Sequence, residues 1–264
     1  YLLKLLEAQW QIDRSFILDS LNKKMFSTAN VPYKIRNDDE ILKDPKNTID
    51  FDHALHQKIM NDVKKIGTDA RLVLDQDQVV HVSMTEKLLV LQLSKLSNFI
   101  PDGGVWLNTQ RPEWNDANNA LVGYGVSMVT LYYLNRHISF INKVLTYVNE
   151  TELDISNEVL AWFKDTKQTY EKYSPAMNEK LDAVKRKTFV QELQKLFSNY
   201  RQKTYNKSSS GRDKIKVIDI INFNNLVLAH FENSINNNYI KSLYSAYNTI
   251  NIDNSNKINV TSLY

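Results

Sequence analysis

Residues 103–125 read GGVWLNTQRPEWNDANNALVGYG, and the uncharged run overlapping them, Ala117 to Asn135, continues as ANNALVGYGVSMVTLYYLN. Glycines at 103, 104, 123 and 125 and tryptophans at 106 and 114 gather around Glu113-Trp114-Asn115-Asp116. The apolar residues of the run do not keep to one helical stripe, which predicts a helix buried on most sides. Trp114, Asn115 and Asp116 would then project from its N-terminal end, where backbone N–H groups and the helix dipole favour an anion. The run is long enough to cross a bilayer, yet Asn118, Asn119, Gly123, Gly125 and Ser127 make it too polar for lipid. A core helix is expected, and no membrane span.

On the N-terminal side, Tyr1 to Phe26 places Leu2, Leu3, Leu5, Leu6, Trp10, Phe16, Ile17, Leu18 and Leu21 at helical spacing, one or two helices in all. The chain starts inside this pattern without a Met, which predicts an excerpt of a longer protein. Ser27 to Thr48, with Pro32, Pro45 and Asp38-Asp39-Glu40, shows no sustained period and reads as an ordered excursion with solvated charges. Asp50 or Asp52 can cap a helix that runs to about Ile66 and stops at Gly67. Alternation over Leu72 to Val82 predicts a short hairpin, and Thr85 opens a helix through Phe99 that Pro101-Asp102-Gly103-Gly104 ends.

On the C-terminal side, Ser156 to Tyr173 and Asn178 to Tyr205 read as amphipathic helices separated by Pro175. The Gly- and Ser-rich 206–212 marks a flexible loop or an internal boundary, Ile215 to Tyr247 is again helical, and the polar tail from Asn248 is unassigned. The expected fold is mainly α, antiparallel helical hairpins with one small β-hairpin near 70–83, as a single helical domain over 1–264 or a portion of a larger one.

Lys and Arg total 33 against 30 Asp and Glu, interspersed, so no global field attracts nucleic acid or an anionic membrane. The basic stretch Lys164 to Lys216, including Lys185-Arg186-Lys187, is interrupted by Asp165, Glu171, Glu179, Asp182 and Glu192 and reads as a solvated outer face. With no cysteine, disulfides and thiolate chemistry are excluded. Asp52, His53 and His56 offer helical metal-ligand spacing but lack a further ligand, so no metal is expected. Trp10 fits the core stripe of its helix.

Trp114-Asn115-Asp116 contains the parts of a sugar site. An indole offers a flat apolar face, an amide donates to and accepts from hydroxyls, and a carboxylic acid can protonate a glycosidic oxygen. The same three residues also suit a structural role, Asp116 or Asn115 capping the next helix and Trp114 packing, with Arg111 and Glu113 as a surface pair.

The segment Arg111-Pro112-Glu113-Trp114-Asn115-Asp116-Ala117-Asn118-Asn119 resembles the Asp-Trp-Asn-Asp segment of the cellobiose and chitobiose phosphorylase family. Glu113 stands where that family has Asp. The resemblance implies an (α/α)6 barrel of six helical hairpins, Asp116 as general acid and Trp114 lining a sugar subsite. On that reading the substrate is an oligosaccharide or glycoside, Arg111, Asn115 and Asn118 help to position it, and Glu113 orients neighbours or binds a hydroxyl. Apolar surroundings such as Trp106 and Trp114 would raise the acid's pKa. Cofactors are none, with inorganic phosphate as a co-substrate if the acceptor is not water. An inverting hydrolase also needs a second carboxylate. Glu232, in His230-Phe231-Glu232, is the one later acid in an apolar-aromatic setting, although exposure on a helix explains it as well. The reading from a different class is a non-catalytic helical module that binds glycans or a protein through the same segment.

Overall fold

The computed structural model describes residues 1–44, 46–76, 78–108, 120–177, 181–205, 211–252 and 257–263. The N-terminal pattern resolves into α1 (Leu2–Ile12) and α2 (Arg14–Ser20), divided at Asp13, whose side chain accepts the Ser15 N–H and so caps the second helix. The acidic stretch after Asn37 forms α3 (Asp38–Lys43), closed by a capping box between Asn37 and Glu40. Asp52 caps α4 (His53–Ile66) and Gly67, at φ 81°, ends it. Ser83 accepts the Glu86 N–H to start α5 (Met84–Leu96).

The all-helical toroid is overturned from this point onward. Phe99–Ile100 (β1) and Gly104–Trp106 (β2) form an antiparallel hairpin, and Gly125–Ser127 (β3) pairs with β2. After four long helices, Tyr247–Ile252 (β6) and Ile258–Ser262 (β7) complete a five-stranded antiparallel sheet in the order β7-β6-β3-β2-β1, curled into half a barrel. The polar tail makes strands because its buried positions alternate: Ile250 enters the core and Asn248 is buried with its amide on the Gly103 carbonyl and Asn238, while Thr249 and Asn251 are more exposed, and Thr and Ile suit a pleated surface. The expected single helix over Ala117 to Asn135 is likewise corrected. Its middle supplies β3, and the buried helix α6 (Met128–Leu145) begins only after Ser127, which caps it by accepting the Thr130 N–H.

A second ribbon, Glu152–Ser156 (β4) against Arg212–Lys216 (β5), leads directly into α7 (Asn157–Met177) and α9 (Val217–Asn237). The expected helical start at Ile215 is therefore a strand, and the helix of 157–177 carries Pro175 within its last turn instead of stopping before it. Arg212, expected at the edge of a flexible loop, is held by Asp154 and by the buried Glu86 at 2.8 Å. Burial works against the Asp154 carboxylate, but Lys24 and Arg212 outweigh it and hold its pKa below the ordinary value. Residues 206–210 of that loop lie outside the described residues.

Helix α8 (Ala183–Tyr205) packs along α7, and α9 packs along α6. Between sheet and helices, Phe99 of β1 meets Tyr170 of α7, Phe189 of α8 and Phe231 of α9 with ring centroids 5.0–6.4 Å apart. The fold is thus helices laid on a five-stranded antiparallel sheet, with five two-stranded ribbons besides among the described residues. Among the described residues no helix is long and apolar enough to cross a membrane.

Candidate functional site

The segment carrying the sugar-site motif belongs to the connection between two neighbouring strands, β2 and β3. The ladder extends one step past both strands: Leu107 donates to the Gly125 carbonyl at 2.9 Å, and Gly123 donates to the Leu107 carbonyl at 2.7 Å. On the entry side, Asn108 is buried and donates to Asn98 at 2.8 Å, and Gln194 of α8 donates to the same Asn98 oxygen at 2.6 Å. On the exit side, the Tyr124 hydroxyl donates to the Ala120 carbonyl at 2.7 Å. Both ends are therefore tied to the sheet.

Arg111, Glu113, Trp114, Asn115, Asp116 and Asn118 lie outside the described residues, as do the rest of 109–119. What has changed is their setting: the chain is helical at 120–121 and turns over 122–124 into β3, so the single long helix expected over Ala117 to Asn135 is interrupted, and the buried helix starts after Ser127. Trp106 is described, and it is only 2% exposed. Its indole N–H donates to the Gly123 carbonyl at 3.2 Å, so the ring belongs to the core and fixes the turn beneath the connection rather than facing a ligand.

Beside the exit lies an open cleft of about 360 Å³, lined by Lys43, Asp44, Lys46, Gly123, Tyr124, Ile250, Asn251 and Ile252. Its size falls in the range of about 300–1,000 Å³ usual for small-ligand sites. Three distant stretches meet there: the end of α3, the turn before β3, and β6, whose Ile250 N–H donates to the Tyr124 carbonyl at 2.7 Å. Gly123, at φ 91°, adopts the left-handed backbone that the turn requires. The Tyr124 ring is 41% exposed, and the Lys46 ammonium lies 5.7 Å from its centroid. Asp44 accepts the Lys46 backbone N–H at 3.3 Å and so partly serves its own turn. Among the described residues neither Lys43 nor Lys46 makes an ion pair. The arrangement offers an aromatic face, an amide, two ammonium groups and one carboxylate around a volume open to solvent.

This turn is sterically exacting. A Cβ on Gly125 would run into the Leu121 side chain and stand 2.7 Å from the Leu121 carbonyl oxygen. Gly125→Ala is expected to lose about 1–3 kcal/mol in urea unfolding. A loss below about 0.5 kcal/mol would mean that the turn at Leu121 yields freely and does not set the cleft.

The other residues weighed in the sequence are placed elsewhere. The His53 and His56 rings pack on Phe51 at 4.7 and 5.4 Å, and Asp52 pairs with Lys34 as well as capping α4. Among the described residues no group of three His, Cys, Asp or Glu is arranged to hold a metal. Trp10 is buried edge-on against Phe140 and Tyr147. Glu232 is exposed on α9. Lys43, Asp44, Lys46, Tyr124 and Asn251 were not singled out from sequence, and their one local signal is a tyrosine set between two glycines. A comparison with protein-family models finds no match for the chain, and a sequence comparison with curated proteins finds none either.

Proposed function

We propose that this protein is a non-catalytic saccharide-binding domain whose ligand occupies the cleft at the base of the 109–119 connection. The carrying observation is that Tyr124, the exposed aromatic of the cleft, is tied through its hydroxyl to Ala120, where the chain returns from the segment bearing Trp114-Asn115-Asp116. A tyrosine face suits the C–H side of a pyranose, and Asn251 adds an amide able to donate to and accept from hydroxyls. Binding ranks ahead of cleavage because the (α/α)6 architecture implied by the phosphorylase resemblance is not the fold of this chain.

A second reading keeps the glycosidic-bond chemistry, hydrolysis or phosphorolysis, with Asp116 as general acid. It is favoured by Asp44, a carboxylate in the cleft that could oppose such an acid. One set of measurements separates the two. Binding of neutral and acidic oligosaccharides is followed by calorimetry, and sugar release from the same panel is followed with and without phosphate. Tyr124→Ala, Asp116→Asn and Asp44→Asn are each compared with the parent. Binding without turnover, weakened about tenfold by Tyr124→Ala, is the expected result. Turnover abolished by Asp116→Asn would transfer the conclusion to the enzyme. If no saccharide binds, both readings fail.

A further inference from the structure

The charge of the cleft narrows the class of saccharide, an inference that rests on the saccharide-binding reading. Among the described residues two lysines and one aspartate are the charged side chains that line the cleft. Asp44 directs an oxygen to the Lys46 backbone N–H, within its own turn. Lys43 closes the C-terminal turn of α3 and Lys46 leans over the Tyr124 ring, both exposed and both without a carboxylate partner among the described residues. The remaining lining is uncharged: Gly123, Tyr124, Ile250, Asn251 and Ile252.

We propose that the cleft takes an acidic saccharide, a sugar unit bearing a carboxylate or a sulfate, with the sugar on Tyr124 and its anionic group between Lys43 and Lys46. A group on the face of Tyr124 is carried toward Lys46, because that ammonium already sits 5.7 Å from the ring centroid. The side chains are solvated, so each charge contributes modestly and the effect is screened by salt. The saccharide supplies orientation through stacking, and the lysines supply preference for the charged form over the neutral one.

The test uses matched ligands on the full chain. Tetragalacturonate is compared with its fully methyl-esterified form, which keeps sugar and linkage and removes the charge. A sulfated galactan tetrasaccharide is compared with its desulfated form, which separates sulfate from carboxylate. The expected result is that at least one charged ligand binds roughly tenfold tighter than its neutral partner at 50 mM salt, and that 500 mM salt erases the difference. The Lys43→Ala/Lys46→Ala double variant is expected to lose the same preference, read as the ratio of charged-ligand to neutral-ligand affinity. Its circular dichroism and melting curve serve as the folding control, and Lys43→Gln/Lys46→Gln is the conservative alternative if the alanine pair melts early.

Equal binding of charged and neutral partners in both pairs overturns the inference and leaves the saccharide reading standing. A preference that survives in both lysine variants overturns it as well. Hexaglutamate bound as tightly as the acidic saccharide would reduce the site to plain charge attraction and also overturn it. No binding of any saccharide removes the reading on which the inference rests.

Discussion

Replacing Arg186 with alanine is expected to remove about 3–5 kcal/mol of folding stability, the usual result of stripping one partner from a buried ion pair. Arg186 is 5% exposed, and its guanidinium makes four bonds, each 2.8–2.9 Å long: to the Pro101, Ile258 and Leu181 carbonyls and to the Asp102 carboxylate. It joins α8 to the β1–β2 turn and to β7 in one side chain. The turn is clasped from the other side too. Asp102 sits at φ 64°, its N–H donates to Ser234, its carboxylate accepts from Asn237, and its carbonyl accepts from Asn238. Without Arg186 the carboxylate would keep one amide partner, and three carbonyls would each lose a bond. Chemical denaturation of Arg186→Ala and Arg186→Lys measures this. The lysine variant is expected to fall between parent and alanine, since an ammonium keeps the charge but cannot reproduce a planar four-bond fork. A loss under about 1 kcal/mol in the alanine variant would show that water replaces the arginine at little cost and that the clasp is not structural.

Arg186 also marks where the sequence misled. Lys185-Arg186-Lys187 looked like part of a solvated basic face, and Lys185 is indeed exposed. Arg186 points inward because the β1–β2 turn brings the Pro101 carbonyl and the Asp102 carboxylate to α8 and β7 adds the Ile258 carbonyl, partners 72–85 positions away in the chain. Local pattern carries no such signal. The same limit explains the fold. Helices with their own stops and starts were legible: Asp52 caps and Gly67 ends one where expected, while the caps at Asp13 and Ser83, equally local, fix boundaries that the periodicity left open. The sheet was not, because β3 is three residues long and sits inside an apolar run that is equally consistent with a buried helix. Its identity comes from pairing with Trp106 on one side and Asn248 on the other.

The candidate site divides in the same way. Residues 103–125 announced themselves by composition, and their connection does join two strands at the centre of the sheet. The cleft did not. Lys43 and Lys46 lie in an excursion without periodicity, Asn251 in a tail too polar to assign, and only the tertiary fold brings these stretches beside Tyr124. Trp106, expected among the apolar surroundings of the motif, lies on a strand buried along its whole length, and the Gly123 carbonyl takes its N–H.

Acidification from pH 7 to pH 4 is expected to cost the folded state about 3 kcal/mol through His230 alone. The imidazole is 2% exposed on α9, with the Tyr170 ring 5.9 Å away, and among the described residues neither ring nitrogen has a hydrogen-bond partner. Burial lowers its pKa from 6.5 to about 4, since the charged form would sit unsolvated in the core. A histidine lowered in this way binds its proton more readily in the unfolded chain. Its contribution is therefore fully retained above pH 6.5, declines as pH falls toward 4, and is lost below that. The Tyr170 phenol, raised well above 10 by the same burial, stays neutral throughout and supplies no compensating charge. His230→Phe should then leave stability at pH 7 within about 1 kcal/mol, or improve it by removing two unpaired nitrogens, and should flatten the decline between pH 6.5 and 4. His137, also lowered by burial, keeps its own slope in both proteins, and carboxylates held below 3.8, such as Asp52 and Asp154, act at lower pH in both. Urea midpoints for parent and variant at half-unit steps of pH decide the matter. Parallel curves would mean that His230 reaches water or a partner when protonated, and that its burial carries no acid cost.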